Sequence, residues 1–260
     1  MGIRDVFDKS YSVLRGNFKE SLLIGIVFWI IAIVVEGSFF LSGMITLDDL
    51  YGSGSIQVSV MNLLMASMFA MLSGGVYFAI SRVKRSKMNL SDIRKGIEMH
   101  WHNIIKAFVL IQVIVFFISQ VLNIFMDSYI TAATPTYLLF SIILLSVVIL
   151  VQASIMFALP IVVIEKMDGF RAVKKSIEFF RDNASFVLGS MILVFFIVFA
   201  ISFTFMSLAV AAVYIMDLSV YLGVPIIVAL SMAFVSLIVL AYPCLSIFVV
   251  TLYNAGKKKK

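Results

Sequence analysis

Residues 170–203 read FRAVKKSIEFFRDNASFVLGSMILVFFIVFAISF, and two patterns meet in them. As far as Asn183 the segment is basic, and Val173, Ile177 and Phe180 recur at the three- and four-residue spacing of one helix face. Beyond it no charged residue occurs before Asp217. A hydrocarbon core of roughly 30 Å is crossed by about 20 mostly apolar residues, so the second part is long enough to span. The unit read here is a basic amphipathic helix leading directly into a membrane span.

That unit recurs. Lys175-Ser176-Ile177-Glu178-Phe179-Phe180-Arg181-Asp182-Asn183 aligns with Lys9-Ser10-Tyr11-Ser12-Val13-Leu14-Arg15-Gly16-Asn17, sharing Lys, Ser, Arg and Asn. Lys95-Gly96-Ile97-Glu98-Met99-His100-Trp101-His102-Asn103 shares the Lys and Asn with both, and Ile-Glu with the third copy. Phe7, Tyr11, Leu14 and Phe18, then Ile93, Ile97, Trp101 and Ile104, give the first two copies the same apolar periodicity. A helix of this kind lies in the headgroup region with its apolar side down. The closing asparagines, Asn17, Asn103 and Asn183, are expected to mark the bend into each span and to cap exposed backbone amides. Repeats are sought before a fold is assigned. They divide the chain into units of approximately 1–81, 82–165 and 166–260, each an amphipathic helix and a transmembrane hairpin. The expected spans are 19–44, 56–81, 107–128, 137–164, 186–214 and 222–252. The fold class is therefore all-α, a polytopic integral membrane protein of six transmembrane helices in three repeats.

The charges orient this bundle. All 20 Lys and Arg residues lie in 1–20, 82–106, 166–181 and 257–260, whereas the alternate connections carry only Asp48, Asp49, Asp127 and Asp217. Short loops rich in Lys and Arg stay in the cytoplasm, so both termini are expected there, in the cell membrane. The first span reads as an uncleaved signal anchor, because no small-residue cleavage site follows it. The sequons at Asn89 and Asn183 fall on the inner side.

Composition excludes several classes. Hydrophobic residues are 62% and charged residues 13% of the chain, against roughly 45–50% and 25% in a soluble domain. The net charge of +6 belongs to residues beside the spans and suits anionic headgroups rather than nucleic acid. Lys9, Arg15, Lys95, Lys174, Lys175 and Arg181 are the candidate contacts to anionic lipid, and membrane lipids are the expected partners. A protein partner or a second copy is the other class of partner considered. The lone Cys244 excludes a disulfide. His100 and His102, two apart, point to different sides of a helix and make a poor metal pair. No HExxH, P-loop, nucleophile elbow or Gly-rich dinucleotide motif is present. The expectation is a protein without catalytic residues, metal or cofactor.

Polar groups at membrane depth are few. Glu36 is the carboxylate expected well inside a span, and an intramembrane ionisable group is a functional hypothesis with a partner to be named. The repeat offsets place Leu122 and Ser202 opposite it, with Gln120, Asn123 and Thr204 nearby, a candidate polar patch shared by the first, third and fifth spans. Gln152 and Ser154 suit helix–helix hydrogen bonding. Ala66, Ala70 and Gly74 form a small-residue stripe that lets helices approach closely. Pro160 and Pro243, both in Ala-x-Pro, each remove a helix hydrogen bond and are expected to bend their helices.

The repeat, with Leu72-Ser73-Gly74-Gly75, Phe157-Ala158-Leu159-Pro160-Ile161-Val162-Val163-Ile164-Glu165 and Gly169-Phe170-Arg171-Ala172-Val173-Lys174-Lys175-Ser176, resembles the membrane domain attached to some glycerophosphodiester phosphodiesterases and its stand-alone six-helix relatives. That resemblance implies a helical bundle without the hydrolase's metal-binding barrel, so phosphodiesterase activity does not transfer.

The leading expectation is a non-enzymatic membrane protein engaged in lipid-associated or small-molecule transport, or serving as a membrane partner or scaffold. The alternative is a channel or secondary transporter using the patch around Glu36. A continuous polar cavity would favour transport, and a groove open sideways to lipid beside the basic helices would favour lipid handling. The topology predicts that single cysteines placed in 46–55 are labelled by an impermeant reagent from outside and those in 86–92 are not; the reverse pattern overturns it.

Overall fold

The computed structural model describes residues 2–41, 56–83, 88–129, 135–218 and 220–257, all helix or short turn with no strand among them. The helices are α1 (Ile3–Gly16), α2 (Phe18–Leu41), α3 (Ile56–Ser81), α4 (Leu90–Tyr129), α5 (Pro135–Ile155), α6 (Ala158–Ile164), α7 (Gly169–Leu218) and α8 (Val220–Lys257). Six helical stretches are long and apolar enough to cross a membrane.

Asn17 and Asn183 break the helix as the sequence predicts. Asn17 sits at φ −132°, ψ 35° between α1 and α2, and Asn183 at φ −129°, ψ 23° inside α7. Their side chains do the same thing: Asn17 Nδ2 donates to Val13 O at 2.8 Å and Asn183 Nδ2 to Phe179 O at 3.0 Å. The asparagines thus serve carbonyls behind them rather than amides ahead, because carbonyls are what a helix end leaves unpaired. Asn17 Oδ1 also accepts the Met88 amide from the segment before α4. Asn103 departs from the expectation, since α4 runs through it unbroken. Contacts of α4 with α3 on both sides of Asn103, through Ile93, Ile97 and Ile104, hold its two halves in line.

The apolar faces divide between the bundle and its surroundings: Ile104 and Val173 are buried, whereas Tyr11, Phe18, Trp101 and Ile177 are exposed, between 44% and 64%. Ser10, Gly96 and Ser176 are turned into the bundle and buried. These three occupy one register in the repeat alignment. Periodicity finds an apolar face but does not say whether protein or lipid covers it.

Packing is concentrated where the basic residues are. Val6, Ile104, Phe157, Ile161, Val187 and Leu252 are essentially inaccessible, and Phe7 of α1 meets Phe248 of α8 at 5.1 Å between ring centroids. The distal parts of α4, α7 and α8 leave side chains such as Phe116, Phe195, Phe203 and Met232 exposed. The fourth span is broken at Met156–Phe157, consistent with Pro160, which cannot donate to the Met156 carbonyl. Pro225 and Pro243 are contained within α8.

Close approach depends on glycine at two places. A Cβ on Gly75 would fall 2.6 Å from Ile93 O, and one on Gly96 would fall 3.1 Å from Gly75 Cα, so α3 and α4 meet backbone to backbone. The stripe that continues toward Ala70 and Ala66 serves this intramolecular packing. A Cβ on Gly25 of α2 would fall 2.0 Å from Val239 O in α8. Val239 carries the carbonyl that Pro243 leaves without its helix donor. Alanine at a mid-helix glycine gains up to about 1 kcal/mol in propensity, whereas overpacking costs about 1–3 kcal/mol, and a carbonyl cannot step aside as a side-chain tip can. Gly25→Ala is therefore expected to lower stability by roughly 1–2 kcal/mol in detergent unfolding; a stabilised variant would show that the helices are not held this closely.

Candidate functional site: a basic collar beside a lateral groove

The basic helices are fastened by a few acids. Glu165 follows α6, whose turn puts Lys166 at φ 54° and donates Met167 N–H to Val162 O at 3.2 Å. This is a Schellman-type ending with lysine where glycine is usual. The Glu165 carboxylate, with its side chain 12% exposed, takes three donors. Lys175 of α7 pairs with Oε2, while Tyr253 Oη and Lys257 Nζ of α8 reach Oε1 at 2.5 and 2.9 Å. Below it Phe157, Phe179 and Tyr253 form a ring cluster with centroids 4.8 to 6.0 Å apart. Burial by itself would raise the Glu165 carboxyl, but the hydrogen bonds from Lys175, Tyr253 and Lys257 outweigh it and bring it from the ordinary 4.5 to about 2.

Asp168 opens α7. Its Oδ2 accepts the Phe170 amide at 3.1 Å, and its Oδ1 meets Lys106 Nζ of α4 at 3.1 Å. The hydrogen bond from Lys106 holds its carboxyl below the usual range. Arg82 spans from Asp92, at 3.7 Å, to the face of Phe78, 4.3 Å from the ring centroid.

Of the candidate lipid contacts, Lys175 is thus committed to Glu165, and Arg181 lies 3.7 Å from Asp182. Lys9, Arg15, Lys95 and Lys174 are exposed. The patch around Glu36 is not assembled by any hydrogen bond among the described residues. Glu36 and Asn123 lie on α2 and α4, but their side chains fall outside the described residues. Gln120 and Ser202 are exposed, and the exposed Thr204 donates to Ala200 O in its own helix at 2.8 Å. Ser154 likewise donates to Leu150 O, while its carbonyl accepts Ser176 Oγ at 2.6 Å. His100 is buried beside Phe78 and His102 is exposed, as two-residue spacing requires.

Buried polar contacts between helices lie elsewhere. Tyr242 Oη and Ser73 Oγ are 2.8 Å apart, with Tyr77 and Ser246 beside them. The signal was a four-residue spacing of hydroxyls on each helix, Ser73/Tyr77 and Tyr242/Ser246, which puts each pair on one face. The Phe28 ring stacks on both Phe69 and Tyr242, at 3.9 and 4.1 Å.

Beside the collar lies a groove of about 470 Å³ lined by Leu23, Ile24 and Val27 of α2, Leu72 of α3, and Leu90, Ile93, Arg94, Ile97 and Glu98 of α4. Its volume falls within the roughly 300–1,000 Å³ of small-molecule sites. Leu23, Val27 and Leu90 remain between 36% and 45% exposed, so the groove opens to the side of the bundle. Its walls are apolar apart from Arg94 and Glu98, both on the collar segment of α4.

No protein-family model, curated protein or solved structure matches the chain.

The Glu165 cluster sets a pH dependence. Because its carboxyl is depressed in the fold, its contribution is complete above about 4.5 and is lost as pH falls toward about 2. Glu165→Gln is expected to cost roughly 1–3 kcal/mol at pH 7. The gap between wild type and variant should narrow below pH 4.5 and close only at about pH 2 and below in unfolding measurements; a gap independent of pH would contradict the cluster.

Proposed function

We propose that this chain is a multi-pass protein of the cytoplasmic membrane, with Met1 and Lys260 on the cytoplasmic side, that handles membrane phospholipid at the inner leaflet without chemistry of its own. The lateral groove is the observation that carries this reading. It offers apolar walls open to the side, which suit an acyl chain, and a charged pair, Arg94 and Glu98, among its lining residues to meet a headgroup. Two further features support it. Lys9, Arg15, Lys95 and Lys174 are exposed on the same basic segments as the exposed Tyr11, Trp101 and Ile177, the composition of helices that rest in an interface. Lys and Arg are confined to one set of connections, which supports the orientation.

The threefold organisation belongs to the same proposal. It is supported by the matched geometry of Asn17 and Asn183 and by the buried small residues Ser10, Gly96 and Ser176. The channel alternative gains nothing from the basic half, where Ile104, Phe157, Ile161 and Val187 fill the interior.

Filling the groove tests the function. Protein purified in mild detergent is expected to retain phospholipid. Val27→Trp and Ile97→Trp should lose most of it, while Ile143→Trp, on α5 and outside the groove, should not. Equal retention by all three variants would end the lipid-handling reading.

A further inference from the structure

The groove's rim carries one charge of each sign. Arg94 Nε donates to Glu98 Oε1 at 2.7 Å across one turn of α4, and the two side chains stay 85% and 57% exposed. A guanidinium has five N–H donors and a carboxylate two acceptor oxygens. The pair therefore leaves donors on Arg94 and an acceptor oxygen on Glu98 available together. Leu90, Ile93 and Ile97 on the same helix and Leu23, Ile24 and Val27 opposite form the apolar wall beneath them.

We propose that the groove takes one acyl chain of a phospholipid whose headgroup is zwitterionic and bears a primary amine, with its phosphate on Arg94 and its ammonium on Glu98. This rests on the lipid-handling reading and adds which lipid is handled. A headgroup with only negative charge would meet the Glu98 carboxylate on reaching Arg94, and like charges brought together oppose binding. A primary ammonium can donate N–H to the carboxylate, a charge-assisted hydrogen bond; a trimethylammonium has no N–H to give. Lys95 does not disturb the match, because adjacent helix positions do not face each other.

The test compares headgroups on one protein. Native mass spectrometry is run on the full chain in detergent with equimolar phosphatidylethanolamine, phosphatidylcholine and phosphatidylglycerol of identical acyl chains. Wild type is expected to retain the ethanolamine lipid preferentially. Glu98→Gln should lower its ratio to the glycerol lipid by roughly two- to fivefold, the scale of one exposed charge pair, and Arg94→Gln should weaken all three. Both side chains are exposed, so circular dichroism of the variants should be unchanged. A wild-type preference for the glycerol lipid, or a ratio unmoved by Glu98→Gln, overturns the headgroup assignment. If Val27→Trp still abolishes retention in that case, lipid handling survives it; if Val27→Trp changes nothing, both fall.

Discussion

The approach of Gly75 to Gly96 is the contact on which the rest of the arrangement depends. With no side chain at either position, α4 comes against α3 closely enough for a Cβ on Gly75 to strike the Ile93 carbonyl. Small residues at both positions let the two backbones pack closely and add van der Waals contact between the helices. Drawing the basic half of α4 onto α3 also fixes where Ile93, Arg94 and Ile97 stand relative to α2. The groove is the space left because α2 meets α8 at Gly25 while α4 is held on α3.

Electrostatics finishes what the glycines begin. Glu165 ties the turn after α6 to both α7 and α8, and Asp168 ties the start of α7 to α4. Among the collar's described cations, Lys106, Lys175 and Lys257 meet internal acids and Arg82, Arg94 and Arg181 lie beside nearby carboxylates, whereas Lys9, Arg15, Lys95 and Lys174 are exposed.

Much of this was legible in the sequence. Six apolar runs, the breaks at Asn17 and Asn183, the interruption before Pro160 and the small-residue stripe at Ala66, Ala70 and Gly74 all follow from composition and local spacing. How each amphipathic face divides between the bundle and its surroundings was not legible. Periodicity groups Tyr11, Phe18, Ile104 and Val173 alike, yet Ile104 and Val173 are buried and Tyr11 and Phe18 are exposed, while the buried Ser10 and Gly96 carry no apolar signal. Glu165 was passed over because its partners lie 10, 88 and 92 residues away. The Glu36 side chain lies outside the described residues; Ser202, its match in register, and Thr204 are exposed, while Ser73 and Tyr242, whose contact no register marked, meet across 169 residues. A groove leaves no mark in a sequence, since it consists of what the side chains fail to fill.

The most direct test of the account is photocrosslinking with a phospholipid carrying a diazirine on its acyl chain, incorporated into vesicles with the protein and mapped by peptide mass spectrometry. The account predicts adducts concentrated at Leu23–Val27, Leu72 and Leu90–Ile97. Adducts spread along Phe195, Phe199 and Phe203 of α7, with none in the groove, would contradict it.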